Sequence, residues 1–340
     1  MPRKSNPTTE QGPALPVYSS DKPVDIPASG TWPRSVHQFE PETIAALKAA
    51  EITGRPLLLR GDPGNGKSQT ARAAAVAANR PFLSVVIDGR TEPHDLLWRF
   101  DAVARLADAQ VRKEGEALHE EAAYLVPGPL WWAYAWNSAA ERLAALNCTR
   151  KRSLQPLGTA PDGWSAEEGR AVLLIDEIDK ADPDLPNALL EVLANLGFRE
   201  PYGGEEIHCS EATRPLVILT TNEERELPHA FLRRCMVHSL HLPDAVKERD
   251  AFVARLQRLG EQHQARLRPG ERCHVLKEAA EQVAEERARL AGSGRYLPGT
   301  SEYLDLVNAV SRLARTKKQQ VDALAEISGF ALKKSGPRGR

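Results

Sequence analysis

The sequence predicts an α/β chain in which a parallel five-stranded sheet is flanked by helices and followed by a small all-α unit. Three observations carry that prediction. Short apolar runs alternate with helix-length stretches as far as Leu242, the pattern of buried strands joined by crossover helices. A glycine-rich octapeptide ending in Lys67 and Ser68 stands between the first apolar run and the helix that follows it. Beyond Pro243 helical periodicity continues and no further strand is expected.

The elements follow in order. Residues 1–35 are rich in Pro, Ser, Thr and Gly without apolar periodicity, so a flexible lead-in that packs little is expected, with structure beginning near Val36. A short helix is predicted over 41–51. The strands are "PLLLR" at 56–60, "PFLSVVI" at 81–87, "AVLLI" at 171–175, "PLVILTT" at 215–221 and "CMVHSLHL" at 235–242. Helix-length stretches at 66–79, 93–113 and 184–195 lie between them. Two stretches, near 96–168 and 198–214, lie outside the core fold and are read as inserts. The α/β unit is therefore placed at 36–242. Helical segments near 244–260, 271–291, 300–315 and 317–334 make a second unit over 243–335, and 336–340 is a basic tail.

Composition excludes several classes. The 340 residues are 41% apolar and 27% charged with a formal net charge of -1, so no global field draws the chain to nucleic acid or to a membrane. The exception is local: from Ser311 to the end, eight Lys/Arg face only Asp322 and Glu326, a pattern that is ordinarily a solvated face. Cysteines at 148, 209, 235 and 273 form no Cys-x-x-Cys pair, which points to neither a zinc site nor a disulfide framework and fits a reducing compartment. No apolar run approaches the ~18 residues of a bilayer span, and a cytoplasmic location is expected.

The octapeptide "GDPGNGKS", from Gly61 to Ser68, fits G-x-x-x-x-G-K-[ST] in its required strand–loop–helix setting. Glycines let the loop curl so that successive N–H groups face phosphate oxygens, and the helix N-terminus adds partial positive charge. Gly61, Pro63, Gly64, Asn65, Gly66, Lys67, Ser68 and Gln69 are the candidate nucleotide contacts. Lys67 is assigned to the β- and γ-phosphates, and Ser68 to Mg²⁺. The run "VLLIDEIDKA" supplies carboxylates at the end of a buried strand: Asp176 for the Mg²⁺ shell, and Glu177 to polarise the attacking water, provided that no nearby cation pairs with it. "PLVILTTN" ends in Asn222, whose amide is a candidate for orienting the same water. "LPHAFLRRC" is a short helix ending in Arg233 and Arg234.

Together, "GDPGNGKS", "VLLIDEIDKADPDLPNALLEVL", "TTNEERELPHAFLRRC" and the helical region after Pro243 resemble an AAA+ ATPase of the MoxR type, over about residues 36–315. The resemblance implies a P-loop nucleotide-binding domain with a helical lid, ATP and Mg²⁺ as cofactors, a homo-oligomeric ring of six, remodelling of protein clients, and a partner carrying a von Willebrand factor A domain. It also implies that Asp176 and Glu177 form the second Walker motif, Asn222 the first sensor and Arg234 the finger supplied to a neighbouring subunit, with Arg233 beside it. The second sensor departs from the pattern: Ser301 falls near the place where relatives often carry arginine, and Arg295 is a substitute nearby.

Trp131, Trp132, Tyr134 and Trp136 in the first insert read as core in preference to a gripping surface, although both inserts are candidates for facing a pore or a client. His94, His208 and His241 read as structural. Three function classes stay open: an ATP-driven remodeller of proteins, a nucleic-acid motor, and a nucleotide-dependent scaffold with little turnover. The second is not favoured, because no groove-reading motif accompanies the basic tail.

Overall fold

A computed structural model of the chain describes residues 15–111, 120–150, 154–167, 169–267, 272–293 and 296–333. The first elements are a two-stranded antiparallel ribbon, β1 (Val24–Ile26) with β2 (Ser35–His37). Helix α1 (Pro41–Thr53) opens on a proline, whose missing N–H costs nothing there, and closes on Gly54 at φ 63°. Then come β3 (Leu57–Arg60), α2 (Lys67–Ala77) and β4 (Phe82–Val86). The first insert holds β5 (Trp98–Phe100), α3 (Ala102–Val111), β6 (Leu125–Pro127), α4 (Pro129–Tyr134) and α5 (Trp136–Arg150). Next are β7 (Val172–Asp176), α6 (Asp184–Asn195), the hairpin β8 (Gly197–Arg199) with β9 (Glu206–His208), β10 (Leu216–Thr221), α7 (His229–Leu232) and β11 (Met236–Ser239). Among the described residues, four helices come last: α8 (Arg249–Leu267), α9 (Leu276–Leu290), α10 (Thr300–Leu313) and α11 (Lys317–Leu332).

The main sheet runs β11-β3-β10-β7-β4 with every neighbouring pair parallel. Its central strands are apolar along their length because both faces are covered; Leu57, Leu58 and Leu59 are fully buried, as are Val172 through Ile175. One face packs on α4, α5 and α6, the other on α1, α2 and the ribbon. Register matters for function. Thr221 pairs with Arg60, and Leu219 with Ile175, so the loop after β3, the acidic end of β7 and the residue after β10 emerge at one edge. The last four helices share a separate core around Phe252, Val283, Tyr303 and Val310. No helix among the described residues is long and apolar enough to cross a membrane.

Three expectations need correction. The lead-in does pack from residue 15 onward, since Tyr18 and Ile26 are buried with Phe39 beneath the sheet; its order comes from tertiary contacts that leave no periodic trace. Residues 1–14 lie outside the described residues. The stretch 93–113 is not one helix: a single 3-10 turn at Pro93–Leu96 gives way to β5, which pairs with β6, before α3 begins. The fifth strand is shorter than 235–242, spanning Met236–Ser239.

Candidate functional site

Above that edge of the sheet lies a cleft of about 680 Å³, walled by the loop after β3, the ribbon, and helices α8 and α10. The loop's shape is dictated by glycine. Gly61, Gly64 and Gly66 have φ of 135°, 81° and 84°. A Cβ at Gly61 would stand 2.4 Å from Leu240 O, so no other residue fits without moving backbone. Asn65 Nδ2 donates to the same carbonyl at 3.1 Å and fixes the loop to the strand-end beyond β11. Helix α2 then starts at Lys67, presenting its free N–H groups toward the cleft.

The Lys67 ammonium donates to Gly61 O at 2.6 Å, Asp62 O at 3.0 Å and Asn222 Oδ1 at 2.8 Å. Burial lowers its pKa, with Asp176 and other carboxylates opposing the shift. Ser68 Oγ lies 3.1 and 2.9 Å from the two Asp176 carboxylate oxygens. Glu177 adopts left-handed backbone at φ 60°, a conformation costing on the order of 1 kcal/mol in a residue with a Cβ. Its Oε2 pairs with Lys180 Nζ at 2.7 Å, and its Oε1 lies 3.4 Å from Asn222 Nδ2. The condition set by the sequence reading, a carboxylate free of cations, is therefore not met, and Lys180 is its partner.

Lys67, Ser68, Asp176, Glu177 and Asn222 converge on the cleft, and Pro63, Gly64, Asn65, Gly66 and Gln69 line it too. Gln69 is also engaged elsewhere: its Oε1 accepts from Ser35 Oγ at 2.7 Å and from Arg72 at 3.2 Å. Arg233 and Arg234 stand apart. Both are exposed at the end of α7, Arg234 Nη1 donates to Ala230 O at 3.2 Å, and neither lines the cleft. Ser301 reaches the phosphate loop, with its Oγ 3.5 Å from Gly64 O. Arg295 lies outside the described residues, as do the tail at 336–340 and the side chain of Cys148.

Several residues at the site left little sequence signal. Arg287, on α9, pairs with Asp62 Oδ2 at 2.5 Å and donates to Leu297 O and Pro298 O, joining the helical region to the phosphate loop. Nothing in the sequence distinguishes it from its neighbour Arg289. His37 lines the cleft, with Cε1 4.0 Å from where a Gly66 Cβ would be; burial, aided by Arg255, lowers its pKa to about 4. Asp179 is buried and its Oδ2 accepts from Glu224 N at 3.0 Å, which ties the turn after Asn222 to the residues after β7.

The aromatic insert is core. Trp131 is fully buried, Trp132 and Tyr134 nearly so, and half-buried Trp136 packs edge-on against Trp132 and Trp164. The residues of the second stretch, 198–214, begin within the β8–β9 hairpin. His94 stacks on Trp98 at 4.9 Å and His208 lies exposed on β9. His241, by contrast, is on the rim of the cleft.

The donors suit a small hard cation. Ser68 and Asp176 offer a hydroxyl and a carboxylate side by side, the number that Mg²⁺ takes when phosphate oxygens and water complete its shell. No group of three or more His, Cys, Asp or Glu among the described residues suits a metal held by protein alone.

The family model of the AAA domain, dynein-related subfamily, matches residues 56–235, just over half of the chain. No curated protein matches. Among solved structures, a candidate ATPase from Cytophaga hutchinsonii is 16% identical, covering 85% of this chain and 79% of its own, with a TM-score of 0.36. A point mutant of Thermotoga maritima RuvB is 14% identical over 84% of this chain and 68% of its own, TM-score 0.42. Brucella abortus NtrX, in complex with ATP, is 16% identical over 82% and 54%, TM-score 0.43.

Proposed function

The chain belongs to the dynein-related subfamily of AAA domains, and on that premise we propose that it hydrolyses ATP as a MoxR-type remodeller of protein clients. The observation that carries this reading is the convergence of Lys67, Ser68, Asp176, Glu177 and Asn222 on one cleft from three different strand ends. The curled loop and the first turn of α2 bind the phosphates, and Lys67 exchanges its internal acceptors for phosphate oxygens. Ser68 and Asp176 would hold a Mg²⁺ ion, whose chemistry there would be to neutralise phosphate charge. Glu177 takes the proton of the attacking water, and Asn222, within reach of both Lys67 and Glu177, orients that water.

Arg233 and Arg234 support a ring reading: both are exposed and neither lines its own cleft, as expected of an arginine that serves a neighbour's site. The ring is proposed to be a hexamer, with a protein carrying a von Willebrand factor A domain as its partner. Steady-state ATP turnover with and without Mg²⁺ tests the chemistry, and light scattering of Glu177→Gln with ATP tests the assembly. Magnesium-dependent turnover and a closed oligomer are expected. Nucleotide binding without turnover would move the reading to a scaffold, and salt-dependent nucleic-acid binding that stimulates turnover would move it to a motor.

A further inference from the structure

Two glutamates just beyond neighbouring strand ends share one backbone feature, and the first of them lines the cleft. Glu177, after β7, and Glu223, after β10, both have φ 60°. Each has its N–H held by a threonine at the end of β10: Glu177 N donates to Thr220 Oγ1 at 2.9 Å, and Glu223 N donates to Thr221 Oγ1 at 2.9 Å. Both threonines are buried, at 1% and 2% exposure, in a strand whose other residues are apolar. A buried hydroxyl must find partners, and Thr220 finds two. Its oxygen accepts from Glu177 N–H while its proton goes to Asp176 Oδ1 in a short contact.

We infer that Thr220 is the positioning residue of the hydrolytic site, whose hydroxyl locks the left-handed turn at Glu177 and thereby aims that carboxylate into the cleft. The inference rests on the ATPase reading and adds a role to a residue in neither the phosphate loop nor the acidic pair. The argument is geometric. Leu219 and Ile175 are register partners, so the next residue along each strand, Thr220 and Asp176, stand side by side across the β10–β7 pair. The hydroxyl then touches both the Asp176 carboxylate and the backbone N–H of Glu177. Left-handed backbone in a non-glycine residue persists only where surrounding contacts over-determine it. Without that acceptor the Glu177 peptide is free to relax, and the carboxylate leaves its place beside Asn222 and Lys180. A displacement of about 1 Å at a reacting group costs on the order of 10²-fold in rate.

Thr220→Val removes the hydroxyl at nearly constant volume, and Thr220→Ser keeps it. The Val variant is expected to lose turnover of order 10²-fold, with affinity for a fluorescent ATP analogue changed less than threefold, while the Ser variant stays near wild type. Hydrogen exchange at the Glu177 amide, measured without nucleotide, is expected to quicken at least tenfold in the Val variant and to be unchanged in the Ser variant. Thr220→Ala serves for both measurements should Val at this place prevent folding, as judged by thermal melting. Wild-type turnover from the Val variant, or unaltered exchange at Glu177 in a variant lacking the hydroxyl, overturns the inference. Absence of turnover in the wild type sinks the ATPase reading instead, and the exchange measurement still decides whether Thr220 holds the turn.

Discussion

The Lys67 ammonium is hydrogen-bonded to Asn222 Oδ1 at 2.8 Å, joining the phosphate loop to a residue 155 positions away. The contact also fixes which way the Asn222 amide faces, since its nitrogen is then the end presented to Glu177.

Loss of either partner is therefore expected to act on a different step. Lys67→Ala removes the cation that meets phosphate and should weaken ATP affinity by tenfold or more, in line with the ~1.5–3 kcal/mol of a charged hydrogen bond. Asn222→Ala should leave affinity within a few fold and lower turnover by about 10²-fold, as for other groups that stabilise only the transition state. Titration with a fluorescent ATP analogue, set beside steady-state turnover, separates the two. Equal affinity in wild type and Lys67→Ala removes the lysine from the site.

Lys180 occupies the carboxylate that is asked to act as a base. Both side chains are partly exposed, at 39% and 29%, so the pair is worth about 1 kcal/mol or less. Lys180→Ala is expected to raise turnover up to fivefold by freeing Glu177, whereas Glu177→Gln should bind ATP normally and lose 10²-fold or more. A fall in turnover on removing Lys180 would show that its ammonium positions Glu177 and does not restrain it.

Arg234 is expected to work across a subunit boundary. Arg234→Ala should bind ATP and turn over at least 10³-fold more slowly. Mixed with Glu177→Gln, it should recover part of the wild-type rate, because some junctions then join a sound Glu177 to a sound Arg234. A mixture that stays inactive while its subunits exchange returns Arg234 to the ordinary surface.

His37 gives the fold a pH dependence of defined sign. Its pKa is lowered to about 4 in the folded chain by burial, with Arg255 adding repulsion. On acidification the unfolded chain takes up the proton first, so stability is intact above the imidazole's ordinary pKa near 6.5 and is lost as pH falls toward 4. Thermal melting of wild type against His37→Gln across pH 4–7 is expected to show a shallower acid-side loss in the variant. Parallel curves would assign the acid sensitivity to other groups.

What could be read in advance was the chemistry carried by short contiguous stretches. The loop at Gly61–Ser68 and the buried run ending at Asp176–Glu177 encode their geometry locally, through glycines that need positive φ and leucines that need burial on both faces. The ribbon at Val24–His37 was invisible because its three-residue strands are too short for periodicity and are held by Arg72 and the helical layer. Thr220 carries no sequence signal of its own, because a threonine within a strand is common; only the register beside Asp176 makes it singular. Arg287 needed the packing of α9 before it could be seen to meet Asp62. For the tryptophans of the first insert, the choice between core and surface turned on the packing of α4, which burial of Trp131 settles for core.

The ribbon is anchored at both sides. Buried Arg72, five residues beyond Lys67 on α2, donates to Pro27 O at 3.1 Å, Pro33 O at 3.0 Å and Ser35 Oγ at 3.0 Å, and its guanidinium covers the Trp32 ring. From the other side, Arg255, Gln262 and Arg266 of α8 hold Glu40, Gln38 and Asp25. A tilt of α8 therefore pulls on a strap riveted to the helix that begins at the phosphate loop. The helical layer is thus joined to the two sides of that loop by separate contacts, through the strap and Arg72 on the α2 side and through Arg287 and Asp62 on the other. Val17, 84% exposed just ahead of β1, is accordingly a place where an attached dye would report any movement of the strap without entering the cleft.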